Sequence, residues 1–457
     1  MLTYVLDHSA AAPLYTQLYE AIKRDLLSGA IQGGEKLPSK RLLAEHLDIS
    51  KVTVEAAYQQ LLSEGYLTAR ERVGYFAEHI TPLRTAPVAA PEPPAHLAVP
   101  GPAARQFPVS VWSRLTRKVL LGDSNAMLQP VPGTGLPVLR AAIVQELRRS
   151  RDMKVSSEQI LVGSGAEFFY HVLIQLLGRN RRYGLESPGH QKIAAVYTAD
   201  QVAVAAVSLD GNGVTLDSLR RSGADVLHIS PSHQFPTGIV MPIRRRQELM
   251  AWLSEREDRY LIEDDYDAEF HFSGRPIPTM QSLDPTGRVI YMNTFSKTIA
   301  PSLRISYLVL PPRLMAEYRR RLGFYSCTVP SLEQLTLAQF LSEGYFEKHL
   351  NRMRKHYRLL RDRLLAALRE SRAADCLSIQ AEDSGLHFIL TADGVSDSAA
   401  FCAGLSLHGL TVSPLARYYM GTPDPEAARR FVFDYGNLEE AGIPAVVTAL
   451  EALLPGK

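Results

Sequence analysis

Residues Val289–Pro311 read VIYMNTFSKTIAPSLRISYLVLP, and this stretch decides the fold. It opens and closes on apolar, β-branched runs of the length of a buried strand. Between them a polar loop holds Lys297 among Thr294, Ser296 and Thr298, with Arg304 seven residues further on. A primary amine, hydroxyls and a guanidinium together suit a ligand that bears an aldehyde and a phosphate. The amine can condense with the aldehyde while the other groups bind the phosphate.

Working outward, three upstream segments and one downstream segment repeat this strand-to-polar-end pattern. Ile160-Leu161-Val162 is a short strand, followed by the small-residue loop Gly163-Ser164-Gly165-Ala166 and a helix over about Glu167–Leu177. Such a loop exposes backbone N–H groups to an anion. Leu227–Gly238, LHISPSHQFPTG, is a strand running into a Pro-containing turn. Arg259–Asp267, RYLIEDDYD, is a strand ending in Glu263, Asp264, Asp265 and Asp267. That row reads as a metal site, as a solvated strand end, or as the way an open α/β sheet places an Asp in its crevice. Arg429-Arg430 precede the apolar run Phe431-Val432-Phe433. Strand-like runs alternating with longer helical ones predict an α/β domain over 106–457.

The whole chain has 457 residues, 46% hydrophobic and 21% charged, with net charge +2. That composition excludes disorder as the main state. Three cysteines, Cys327, Cys376 and Cys402, exclude a disulfide scaffold and fit a reduced, cytoplasmic setting. No apolar run reaches the length of a membrane span, and the first residues carry no signal-peptide pattern. The histidines show no metal-binding spacing, so no metal is expected. Residues 77–105 are rich in Pro and Ala and read as a semi-extended linker.

Residues 1–76 differ. After Pro13, Leu14, Leu18, Ile22 and Leu26 form one helical stripe, ended by Ser28-Gly29. Ser39 caps a second helix with Leu42, Leu43 and Leu47 inward. Ser50 caps a third with Val54, Ala57, Tyr58, Leu61 and Leu62 inward, stopped at Gly65. Tyr66–Phe76 predicts a hairpin with a polar tip. Two short helices and a tight turn are a helix-turn-helix. The run from Pro13 to Phe76 resembles the GntR-type winged helix-turn-helix. Residues 1–80 carry eight basic against ten acidic side chains, but Lys36, Lys40, Arg41, Lys51, Arg70 and Arg72 fall in the elements that would face DNA. With Thr53 and Glu55 they are the candidate DNA contacts.

The later segments, with PVPGTGLPVLRAAIVQEL at 130–147, together resemble the fold-type I aminotransferases that use pyridoxal 5′-phosphate. The resemblance implies that Lys297 forms the Schiff base and Asp264 pairs with the pyridine nitrogen. It places Tyr266 at the ring hydroxyl. Ser164, Gly165, Ala166, Thr294, Ser296 and Arg304 would hold the phosphate. Arg430, or Arg429, would meet an amino acid carboxylate. Two positions depart from the pattern. Phe235 replaces the Asn of an Asn-Pro-Thr-Gly turn, leaving His233 or Gln234 to compensate. His190, in ESPGHQK, stands where an aromatic ring would stack. The combination resembles the MocR/GabR class of bacterial transcription regulators. It implies promoter DNA as partner, an amino acid or amine as effector, and a homodimer that exchanges its small domains head to tail. The alternative is a working aminotransferase with an appended DNA-binding domain, which turnover with an amino acid and 2-oxoglutarate would reveal.

Overall fold

The computed structural model describes residues 2–7, 12–80, 106–122, 127–267, 269–272, 277–380, 385–395, 397–406 and 411–454. Residues 81–105 of the expected linker lie outside the described residues. The chain divides into two compact units, 1–97 and 98–457.

The first unit is three helices and a hairpin. Helix α1, Leu14–Ser28, buries Leu18, Tyr19, Ile22 and Leu26, and ends where Gly29 takes a left-handed φ of 80°. Such a turn costs glycine little. Ser39 caps α2, Lys40–Leu47, by accepting the Leu42 N–H. Ser50 caps α3, Lys51–Ser63, by accepting the Thr53 N–H. Val54, Ala57, Tyr58 and Leu61 of α3 close on the α1 stripe. Strands β1, Leu67–Arg70, and β2, Gly74–Ala77, pair antiparallel, so the hairpin runs one residue past Phe76. One expected core residue is misplaced. Leu42 is 47% exposed, because on so short a helix Leu43 and Ala44 already fill the inward face.

The second unit is built on an eight-stranded sheet. Its strands are β3 (Ile160–Gly163), β4 (Arg182–Ser187), β5 (Ala203–Asp210), β6 (Gly213–Val214), β7 (Val226–Ile229), β8 (Tyr260–Asp264), β9 (Val289–Thr294) and β10 (Ser306–Val309). Their order is β3-β10-β9-β8-β7-β4-β5-β6. Strands β9, β8, β7, β4 and β5 run parallel, and β10 is antiparallel to both of its neighbours. Every residue of β3, β7 and β10 is buried. Helices cover both faces of such a sheet, so its strands read as continuous apolar runs rather than alternating ones.

A smaller antiparallel sheet follows, ordered β11-β12-β14-β13, from β11 (Leu377–Gln380), β12 (His387–Ala392), β13 (Thr411–Pro414) and β14 (Arg430–Asp434). Phe388, Phe431 and Phe433 pack its inner face against the 26-residue helix Tyr345–Glu370. The expected Lys297 loop contains one turn of helix, Phe295–Thr298, capped by the Thr294 hydroxyl, which accepts the Ser296 N–H.

Candidate functional site

Parallel strands deliver the ends of β8 and β9 to one side of the large sheet, where a cavity of about 230 Å³ opens. Ala166, His190, Asp264, Tyr266, Thr294, Ser296, Lys297 and Arg304 all line it. The sequence scatters them over some 140 positions; the sheet order β3-β10-β9-β8 places β9 beside β8 and only β10 between β9 and β3.

At one wall, Asp264 is 6% exposed. Tyr170 donates its hydroxyl to Asp264 Oδ2 at 3.1 Å, and His228 Nε2 lies 3.5 Å from the same oxygen. His228 is held in turn by Tyr197, 2.8 Å from Nδ1. Burial pushes the Tyr170 phenol well above its ordinary range, so it remains a donor to the carboxylate.

At the opposite wall are the hydroxyls and the guanidinium. Ser306 and Thr294 hydroxyls are 2.8 Å apart, while the buried Ser296 Oγ has no partner. Arg304 takes φ 51°. A Cβ on Gly165, itself at φ +85°, would fall 2.3 Å from Arg304 Nη2. The bare glycine therefore lets the guanidinium lie on the loop. Gly165 thus shapes the cavity, while Ser164 is not in its lining, and its backbone N–H donates to the Thr328 hydroxyl at 2.8 Å.

This donor set fits pyridoxal 5′-phosphate. An unpartnered serine hydroxyl and a guanidinium on a glycine cradle suit the phosphate. Lys297 presents its amine to the same cavity, and the anchored Asp264 carboxylate suits the pyridine nitrogen. His190 lines the cavity with its ring centroid 5.2 Å from that of Phe235.

Two further residues of the cavity escape sequence reasoning. Glu167 forms ion pairs with both Arg304 and Lys192 across it. Lys192, with Arg304, holds the Glu167 carboxyl below its ordinary range. Only position in space reveals these pairs, since 167, 192 and 304 share no spacing.

The row Glu263, Asp264, Asp265 and Asp267 is not a solvated strand end: all four are buried. Glu263 accepts the N–H groups of Met280 and Gln281, Asp265 pairs with Arg151 and Tyr291, and Asp267 with His233. His233 lies behind Tyr266, outside the cavity lining. Gln234 is fully engaged, donating to the Pro188 and Phe235 carbonyls and accepting from Thr237. Arg430 and Arg429 are not brought to the cavity lining. Arg430 donates to Gln380 Oε1 at 2.8 Å and leaves its buried Nε without a partner. Arg429 is held on the surface by Asp393 and Glu426.

In the first unit the candidate contacts fall on α2, α3 and the hairpin, with Lys36 just before α2. Lys51 stands exposed at the start of α3. Thr53 Oγ1 is 2.8 Å from the Ser50 hydroxyl. Lys40 pairs with Glu55, and Arg41 with Glu45 at 2.8 Å. Arg70 packs over the Phe76 ring at 4.5 Å, Arg72 turns the hairpin tip at φ 58°, and Lys36 bridges to Phe76 beside them. Sequence reasoning missed Val52, 73% exposed beside Lys51. An uncovered methyl pair at a recognition helix N-terminus can meet a thymine methyl.

The comparisons with known proteins agree with this architecture. The family described as bacterial regulatory proteins, gntR family, matches residues 14–76, and aminotransferase class I and II matches residues 100–429. The chain is 35% identical to the uncharacterized HTH-type transcriptional regulator YhdI of Bacillus subtilis (strain 168), over 97% of this chain and 96% of that protein. It is 31% identical to the probable rhizopine catabolism regulatory protein MocR of Rhizobium meliloti, over 93% and 91%. Among solved structures, an archaeal alanine:glyoxylate aminotransferase shares the fold with a TM-score of 0.68 at 21% identity, covering 77% of this chain and 88% of that one. A winged helix-turn-helix and an aminotransferase fold in one chain, matched along nearly its whole length by regulators, leave one assignment: the protein is an HTH-type transcription regulator of the gntR family, in the MocR-like class.

Proposed function

We propose that the large unit binds pyridoxal 5′-phosphate through Lys297, Asp264, Thr294, Ser296 and Arg304, and that this binding governs the DNA affinity of the winged unit. The observation that carries the reading is the single cavity in which an amine, a buried carboxylate and a hydroxyl–guanidinium cradle meet. When bound, the cofactor supplies an aldehyde that condenses with amines and a ring that withdraws electrons. The chain's own residues do the rest. Asp264, fixed by Tyr170 and His228, orients the ring and holds its nitrogen proton. Arg304 and Ser296 neutralise and orient the phosphate. Tyr266 addresses the ring oxygen, and His190 covers one face.

Lys297 is also where an amine effector competes for the aldehyde. An effector carboxylate would be met by Arg430, whose buried Nε has no partner, or by Lys192 on the cavity wall. Such a ligand shifts DNA affinity only through unequal affinity for two arrangements of the protein. In the reader, Thr53 and Val52 face the major groove, and Lys36, Lys51, Arg70 and Arg72 hold phosphates. We extend the reading to a homodimer that exchanges its readers head to tail, the assembly the resemblance implies. Light scattering on the full chain tests its mass. Among the described residues no helix is long and apolar enough to cross a membrane.

The deciding experiment mixes the full chain with pyridoxal 5′-phosphate and records visible absorbance and borohydride-fixed cofactor. Lys297→Ala is expected to lose the fixed cofactor entirely. Fixed cofactor at the wild-type level in that variant would refute the site. Operator binding measured with and without cofactor then tests the coupling. Rapid turnover of an amino acid with 2-oxoglutarate would favour the enzymatic alternative.

A further inference from the structure

Behind Tyr266 the fold buries polar groups that the cofactor site as described leaves unused. His233, Asp267 and His387 are 3%, 4% and 5% exposed. Burying two imidazoles and a carboxylate is costly unless each is hydrogen-bonded. His233 Nε2 and Asp267 Oδ1 have no partner, but the remaining polar atoms are directed at specific neighbours. His387 sits 3.1 Å from the Pro236 carbonyl through Nε2, which fixes its protonated nitrogen. Burial pushes the His387 imidazole down to about 3, so the ring is neutral. Its centroid lies 4.8 Å from that of His233 and walls it in. On another side, the Gly385 backbone presses the His233 ring so closely that a Cβ there would fall 1.8 Å from Cε1. The clamped ring aims Nδ1 at two oxygens, Asp267 Oδ2 at 2.8 Å and Tyr266 Oη at 3.3 Å.

We propose that His233 and Asp267 form a positioning pair for Tyr266. The Nδ1–H, anchored on the Asp267 carboxylate, also faces the Tyr266 oxygen. The phenol oxygen is thereby occupied as an acceptor, and its own O–H is turned into the cavity as a donor to the ring oxygen of the cofactor. Burial, and after it the Asp267 carboxylate that also competes for this proton, hold the phenol well above its ordinary range, so the phenol keeps its proton. No covalent bond changes; the pair fixes which partner each proton faces. The inference rests on the cofactor reading above and deepens it. It also gives a physical part to the turn in which Phe235 offers no amide and Gln234 is fully engaged.

The same three side chains offer ligand atoms within 4.8 Å of one another, the spacing of a metal site. The His233–Asp267 contact at hydrogen-bond length, with Arg151 and Arg246 lining the adjoining cavity, favours a proton there over a cation. The charged or titratable groups that face His233 are Asp267, Tyr266 and His387 directly, and Arg151, Arg246 and His271 across that cavity. Lys297 and Asp434 act on the same cluster from the cofactor side.

The test is a pH titration of the visible band of the cofactor-loaded full chain. Without the Tyr266 donation, the ring oxygen becomes a better partner for the proton on the Lys297 nitrogen, so the midpoint rises. His233→Gln and Asp267→Asn are each expected to raise it by roughly one pH unit, a tenfold change in proton affinity. Tyr266→Phe should raise it similarly, and His233→Gln added to Tyr266→Phe should add nothing further. A purely structural role would not move this midpoint in variants that still take up cofactor. An unmoved midpoint, or full additivity in the double variant, would overturn the pair while leaving the cofactor reading intact. Stoichiometric divalent metal in the purified protein, lost in His387→Ala, would overturn it in favour of a metal site. No visible band in the wild type would remove the cofactor reading and this inference together. If His233→Gln fails to fold, Asp267→Asn and Tyr266→Phe carry the same comparison.

Discussion

The cofactor cavity and the DNA reader solve recognition in opposite ways. In the cavity, the deciding side chains are anchored by neighbours: buried Asp264 by Tyr170 and His228, and the more exposed Arg304 by its ion pair with Glu167 against the bare Gly165 loop. In the reader they stand in solvent. Lys51, Arg41 and Arg72 are exposed, Arg41 is engaged by the surface carboxylate of Glu45, and half-buried Lys40 is engaged by Glu55 and the Tyr75 ring. A buried polar group left unpaired loses its full desolvation cost, whereas an exposed ion pair contributes little. Substitutions in the cavity should therefore act in large steps, and those in the reader in small, salt-dependent ones.

Glu186 tests the buried side most severely. It lies one residue before the end of β4, accepts the Ser230 N–H at 3.1 Å, and leaves its other oxygen without a partner. Burial pushes its carboxyl up to about 8 from an ordinary 4.5. The folded chain thus binds this proton more tightly than the unfolded chain. The resulting stabilisation is complete below about 4.5 and is lost as pH rises towards about 8. Glu186→Gln keeps the shape and removes the titration. We expect it to be more stable than wild type by about 2–4 kcal/mol above that range, and near neutral in acid. Urea unfolding at an alkaline and an acidic pH measures this. Equal differences at both would mean that Glu186 carries its charge comfortably, and the contrast between the two regions would weaken.

Much of this contrast was legible in the sequence. The caps Ser39 and Ser50, the stop at Gly29 and the hairpin tip follow from local chemistry, because each acts within four residues. The strand-to-polar-end pattern placed Lys297, Asp264 and Arg304 as candidates for the same reason. What sequence could not give is anything set by distance across the sheet. Burial of the row Glu263–Asp267 depends on Arg151, Met280 and His233, each supplied by another element. Glu167 meets Arg304 because β3 lies beside β10, and Lys192 reaches Glu167 because the helix after β4 packs on the helix after β3. Leu42 shows the converse: a helical stripe names candidates for burial, but two turns of helix have room for fewer than it names.

Gly165 separates geometry from charge within the cavity. Gly165→Ala adds one methyl at φ +85° against the Arg304 guanidinium. With ψ at 163° this is an extended positive-φ conformation that is essentially reserved for glycine, and alanine there costs about 1–3 kcal/mol before any clash. Arg304 must then move off the loop. We expect cofactor affinity to fall by roughly tenfold or more, with the affinity for pyridoxal, which lacks the phosphate, falling less. Fluorescence titration with both compounds separates the effects. Equal losses would place the damage in the fold rather than in the phosphate cradle.

The reader should respond more gently, and its two kinds of cation should respond differently. Lys51 forms no ion pair among the described residues and feels Glu55 only through space, so Lys51→Ala should weaken operator and non-operator DNA alike by roughly fivefold and lower the salt slope by about one. Glu55 poses the finer question, since its carboxylate meets Lys40 while facing the groove end of α3. If it chiefly neutralises Lys40, Glu55→Gln releases that cation and removes a charge repelled by phosphate. Binding to every duplex then rises by about two- to fivefold with a steeper salt slope, which is the outcome we expect. If instead Glu55 accepts from a cytosine amine, the same change lowers operator affinity while non-operator affinity rises. Measuring both duplexes at several salt concentrations decides whether this carboxylate reads a base or only restrains a lysine.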